Sequence, residues 1–208
     1  MVDAIAQVLP RLRAARLRAF AWRCALPVAG KVALAFGVAA LTGLAAQVRI
    51  PLGFTPVPMT GQVFAVLLAG VLLGRFYGGL SQAIYVGLGV AGLPWFAGLS
   101  GGLGAIAGPT GGYLVGFIVA AESIGYVSDR WVEARDLLPQ LGLMLAGVAV
   151  IHLCGVLQLT VWLGGHVKQA LVMGTLPFIG VDGAKAILAA SISTALLPKT
   201  PGAGPDEG

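Results

Sequence analysis

Apolar stretches fill most of the chain and are interrupted by charges, prolines and glycine clusters, at spacings close to the 20 or so apolar residues that a membrane-spanning helix requires. Cutting at those interruptions predicts six membrane segments: Val28 to Gln47, Thr60 to Gly74, Gly78 to Gly92, Gly111 to about Val127, Leu137 to Leu163, and about Phe178 to Leu197. The second and third are short for a span and are separated only by Arg75-Phe76-Tyr77, which predicts a tight membrane hairpin. The expected fold class is all-α integral membrane, a six-helix bundle over residues 28–197. Residues 1–27 precede it as a basic, solvated arm, and residues 198–208, rich in Pro and Gly, follow as a disordered tail.

Composition excludes a water-soluble globule. Of 208 residues, 58% are hydrophobic and only 10% charged, against about 25% charged in soluble domains, and the mean hydropathy is +0.92. The net charge of +5 is not a nucleic-acid footprint, because most of it sits in one N-terminal run and in short loops. Lys and Arg in short loops are retained in the cytoplasm. An inside N-terminus places Arg11, Arg13, Arg16, Arg18, Arg23, Arg75, Arg130, Arg135 and Lys199 there, with only Arg49 and Lys168 opposite. Both termini are therefore expected in the cytoplasm. A cleaved signal peptide is the competing reading of the first apolar stretch, which is too long for a usual signal core. Cys24 and Cys154 show no disulfide or metal spacing.

Candidate chemistry is concentrated late in the chain. Asp182 and Lys185 lie three apart in the sixth segment, on one helical face. An ionisable pair inside a membrane is costly, and by default marks function. Either it pins two helices or it holds a small polar ligand, and the two roles are compatible. Gln62, Ser81, Gln82 and Tyr85 are weaker polar signals, with Gln82 and Tyr85 able to share a face; Glu122 and His152 read as helix packing. The outer connections 48–59, 93–110 and 164–177 are long, apolar and rich in Gly and Pro, and are expected to fold back as a lid over a cavity. Gly87-x-Gly89-x-x-Gly92 lacks the preceding strand of a dinucleotide site and reads as a packing surface, as do Gly70-x-x-x-Gly74 and Gly112-x-x-x-Gly116. Ala29, Ala33, Gly37, Ala35 and Ala39 form small-residue ladders in the first segment. No P-loop, His-Glu-x-x-His or Gly-x-Ser-x-Gly is present, so neither ATP binding by this chain nor hydrolysis has an apparatus.

Five stretches carry a family resemblance: Pro56-Val-Pro-Met-Thr-Gly-Gln, Ser81-Gln-Ala-Ile-Tyr-Val-Gly-Leu-Gly, Gly92-Leu-Pro-Trp-Phe-Ala, Gly108-Pro-Thr-Gly-Gly-Tyr-Leu-Val-Gly-Phe and Pro177-Phe-Ile-Gly-Val-Asp-Gly-Ala-Lys. Through them the chain resembles the BioY family, the biotin-specific substrate-binding membrane subunits of energy-coupling-factor (ECF) transporters. Trp95 departs from the aliphatic residue usual after Gly-Leu-Pro in that family.

The resemblance implies one biotin near the outer face, beneath the first and third outer loops. It implies Asp182 and Lys185 as contacts to the polar head, Gln82, Tyr85 and Tyr113 as secondary contacts, and Phe54, Trp95 and Phe96 as apolar cover. It further implies a membrane coupling subunit and two cytoplasmic ATPases as partners, docked on the first-segment ladder Ala29, Ala33, Ala35, Ala39, with Arg130 to Arg135 as a cytoplasmic contact. No cofactor of its own is implied, ATP acting only through partners. The competing class is a self-sufficient carrier or channel. Inward of Lys185 the sixth segment is uncharged, from Ala186 to Leu197, which favours a capped site over a pore; an intramembrane enzyme is a distant third.

Overall fold

The computed structural model describes residue 14 and residues 16–199. A helix at 16–25 (α1) leads into α2 (Val28–Gln47), a two-stranded hairpin of β1 (Arg49–Ile50) and β2 (Met59–Thr60), and the broken helix α3 (Gln62–Val90). The short α4 (Leu103–Ala107) precedes α5 (Gly111–Arg130), α6 (Leu137–Trp162), α7 (Val167–Gly174) and α8 (Ile179–Leu196). Five helical stretches are long and apolar enough to cross a membrane, Gln62–Val90 being one and Val167–Leu196 another.

Gly74, at φ 77°, breaks α3 into two limbs. A straight helix would separate Gln62 from Tyr85 by about 34 Å at 1.5 Å per residue, yet Gln62 Nε2 donates to the Tyr85 hydroxyl at 2.8 Å. The limbs therefore fold back on each other as the predicted hairpin. Gly70 and Gly78 let them close: a Cβ on Gly78 would stand 2.8 Å from the Gly70 Cα. In lipid, helices gain little from apolar burial and associate through close packing. Ala35, Ala39, Ala120, Ala121, Ala186, Ala189 and Ala190 are accordingly fully buried, and the glycines of the Gly112-x-x-x-Gly116 motif abut the α6 backbone at Cys154 and Ile151.

The basic residues gather at one end. Arg23 of α1 pairs with Asp129 at 2.9 Å and donates to the Val71 carbonyl at 3.0 Å, so the described part of the arm expected to be solvated is docked on the α3 turn. Arg135, expected as part of a cytoplasmic partner contact, is fully buried and donates to the carbonyls of Ser128, Asp129 and Pro198. Pro198 and Lys199 are held in place by Arg135 and by a Lys199–Asp136 pair at 2.6 Å. The remainder of the N-terminal arm and of the tail expected to be disordered lies outside the described residues.

The ladder expected to dock a partner divides between two faces. Ala35 and Ala39 are buried within the bundle, whereas Ala29, Ala33 and Gly37 are exposed. Helical spacing of four generates both rows, and packing of α2 against α3 selects which row turns inward.

Candidate functional site

The end opposite the basic cluster encloses a cavity of about 240 Å³. Its polar groups come from distant elements. Asp182 lies in the first turn of α8, where the helix N-terminus favours negative charge, and is 2% exposed. Lys185, one turn on, donates to Asp182 Oδ1 at 2.7 Å and to the Thr60 carbonyl at 2.6 Å. His152 of α6 places Nε2 3.0 Å from Asp182 Oδ2 and Nδ1 3.1 Å from the Gly174 carbonyl. A carbonyl oxygen only accepts, so the Gly174 contact is made by an Nδ1 that donates, and Nε2 faces the carboxylate.

Each oxygen of Asp182 thus has one partner and keeps acceptor capacity, and the Lys185 ammonium has spent two of its three donors. Both side chains line the cavity, with His152, Thr60, Gln62, Ser100 and Thr110. Phe96, Tyr113, Phe117 and Phe178 supply aromatic wall, and Arg49 stands at the rim. Few fixed polar groups in an apolar pocket are what binding of a small, partly polar molecule requires.

The walls are held from behind. The Tyr113 hydroxyl donates to the Gly174 carbonyl at 2.7 Å, and its ring rests on Gly155, where a Cβ would collide with it. The Phe96 ring occupies the space over Gly89 in the same way, so of the Gly87-x-Gly89-x-x-Gly92 motif Gly89 alone packs closely, Gly87 and Gly92 facing open space. The loop carrying Phe96 is fastened by Gln47, whose Nε2 donates to the carbonyls of Trp95 and Phe96 at 3.1 and 3.2 Å and whose Oε1 accepts from the Leu99 N–H at 3.1 Å.

Of the residues expected at a ligand, Asp182, Lys185, Tyr113 and Phe96 line the cavity. Tyr85 and Trp95 stand one layer back: Trp95 Nε1 donates to the Tyr85 carbonyl at 2.8 Å, and the Tyr85 ring packs edge-on against Phe96 at 5.3 Å. Gln82 is outside the lining, donating to Thr42 and Ser81 hydroxyls at 3.2 and 3.1 Å between α2 and α3. Phe54 is 60% exposed and is not part of the cavity lining. His152, which sequence reasoning assigned to packing, also lines the cavity, and its partner Asp182 is 30 residues distant.

Fold and cavity together define a multi-pass helical membrane protein built around a small-molecule site. Residues 15–202 match the BioY family, and the chain belongs to that family, whose members are transporter components rather than enzymes. It is 47% identical over 142 residues to a protein of Methanothermobacter thermautotrophicus named as a probable biotin transporter BioY, covering 64% of this chain and 90% of that one. It is 40% identical over 162 residues to the biotin transporter BioY of Thermotoga maritima, covering 76% and 89%. Among solved structures it matches the S-component for biotin from an ECF-type ABC transporter with a TM-score of 0.75 and 27% identity, covering 83% of this chain and 94% of that one.

Proposed function

We propose that this chain is the biotin-binding membrane subunit of an ECF-type uptake system. The observation that carries the reading is the group Asp182, Lys185 and His152 in a cavity whose other walls are mainly aromatic and aliphatic. The ureido group of biotin presents two N–H donors and one carbonyl acceptor. Asp182 accepts the N–H groups with its remaining lone pairs, and the unspent N–H of Lys185 donates to the ureido oxygen. Phe96, Tyr113, Phe117 and Phe178 enclose the bicycle and the valeryl chain, and Arg49 at the rim meets the ligand carboxylate. Tyr85 and Trp95 support Phe96 rather than touch the ligand.

The basic end is cytoplasmic by the positive-inside rule, which directs the cavity outward across a bacterial inner membrane, with both termini inside. Inward of the site, Ala186, Ala189, Ala190 and Ser193 of α8 are fully buried, so release to the cytoplasm requires a rearrangement. A membrane coupling subunit and two cytoplasmic ATPases supply it in this reading, docking on the outward row Ala29, Ala33 and Gly37 of α2. In proteoliposomes the chain alone is expected to bind biotin without concentrating it, and accumulation is expected only with the ATPase module and ATP. Accumulation by the chain alone would replace this reading with that of a self-sufficient carrier.

A further inference from the structure

A second pocket, of about 280 Å³, lies at the end opposite the cavity, between the start of α2, the Gly74 turn and the end of α5. Its walls bring Arg23, Lys31 and Arg75 around one carboxylate, Asp129. That carboxylate is already engaged: Arg23 Nη2 donates to Oδ1 at 2.9 Å and the Arg75 backbone N–H to Oδ2 at 3.0 Å. Lys31 has no ion-pair partner among the described residues, and its ammonium lies 5.9 Å from the centre of the Tyr77 ring. The Arg75 side chain reaches only an exposed Glu122, at 3.4 Å, and the face of Tyr126. Positive charge therefore exceeds negative in the pocket, directly beside apolar Leu34, Leu73 and Phe76.

Depth in the membrane follows from the surrounding aromatics. Trp22, Phe76, Tyr126 and Trp131 are exposed at this same end, the pattern of side chains at the headgroup level. Half-buried Lys31 and exposed Arg75 at that level, beside an apolar wall, are complementary to an anionic headgroup whose acyl chain continues along the protein.

We propose that this pocket binds the phosphate of an anionic phospholipid, with Lys31 and Arg75 donating to the phosphate oxygens and Leu34, Leu73 and Phe76 receiving the first methylenes of the acyl chain. A lipid held there joins α2 to the hairpin turn at the point where α1 is already docked by Arg23. The site is independent of the biotin reading.

The full-length chain in detergent is titrated with phosphatidylglycerol, phosphatidylcholine or inorganic phosphate, and bound lipid is counted by native mass spectrometry. One phosphatidylglycerol is expected to bind in preference to phosphatidylcholine, about 5-fold more weakly in Lys31→Gln and unchanged in Lys168→Gln at the opposite end. Arg23 is left intact because its loss would expose Asp129 and disturb the fold. An unfolding temperature in Lys31→Gln equal to that of the unmodified chain would show that the variant is folded. Equal retention of the two lipids, or an equal loss in Lys168→Gln, overturns the site. Displacement by inorganic phosphate at concentrations matching the lipid overturns the membrane as its source.

Discussion

The imidazole of His152 stands 3.0 Å from the carboxylate of Asp182, joining α6 to α8 across 30 residues of sequence. With Lys185 on the other carboxylate oxygen, this contact fixes the orientation of the one acidic group on the cavity wall. An unpaired buried carboxylate would be costly. A carboxylate with one polar partner on each oxygen is held in place and keeps lone pairs for a ligand.

His152→Phe keeps a ring against Tyr113 and Phe178 but removes the ring nitrogen that faces Asp182. Leaving a buried polar group unmatched costs about 1–3 kcal/mol, so biotin affinity is expected to fall by about 10- to 100-fold. His152→Gln, which restores one donor, should recover part of the loss. Calorimetric titration alongside thermal unfolding separates binding from stability, and an unchanged affinity in the Phe variant would remove His152 from the site.

Gln47→Ala is expected to accelerate biotin release. Its amide holds the loop bearing Trp95, Phe96 and Leu99 through three hydrogen bonds, each worth about 1 kcal/mol net, so the off-rate should rise by at least about 10-fold. A chase of labelled biotin from purified protein measures this directly. An unaltered off-rate would mean that the loop is not what retains the ligand.

Gln82→Leu should leave biotin affinity within about 2-fold of the unmodified chain. Its amide faces Thr42 and Ser81, and its Oε1 has no partner, so an apolar replacement of similar shape removes an unsatisfied group at little cost to stability. A loss of binding approaching that of His152→Phe would bring Gln82 back to the ligand.

Gly78→Val tests the hairpin. A Cβ there already meets the Gly70 backbone, and further atoms would force the limbs apart at a cost of about 1–3 kcal/mol. A lowered unfolding temperature is expected, read by a fluorescence melt in detergent; an unshifted melt would argue against the close approach of the two limbs.

The helices were largely legible because their signal is local. Val28–Gln47 is the first predicted segment to the residue, and Ile179–Leu196 lies within a residue or so of the last. The hairpin was readable from Arg75-Phe76-Tyr77, although the chain reverses at Gly74, where a glycine admits positive φ. The short α4 and α7 were read as loop, since helices of 5 and 8 residues have too little periodicity to stand out.

In the site, Asp182 and Lys185 were readable because their pairing is local, one turn of helix apart. His152 was not, because a single histidine in an apolar helix gives no sign of a partner on another helix. Gln82 and Tyr85 looked alike from sequence, both polar and three residues apart. Only the fold shows Tyr85 turned toward Gln62 and Phe96 behind the cavity, and Gln82 turned toward Thr42. Ala29 and Ala35 were likewise equivalent in a row of small residues until α3 covered one face of α2.

The most direct test of the central claim is calorimetric titration of biotin into the intact chain and into Asp182→Asn. The substitution preserves shape and removes the charge that accepts the ureido N–H groups. Charge-assisted hydrogen bonds contribute about 1.5–3 kcal/mol each, so two of them predict one-to-one binding to the intact chain and a loss of more than about 100-fold in the variant, with the fold retained. Biotin binding of equal strength in both proteins, or none in the folded intact chain, would contradict the assignment.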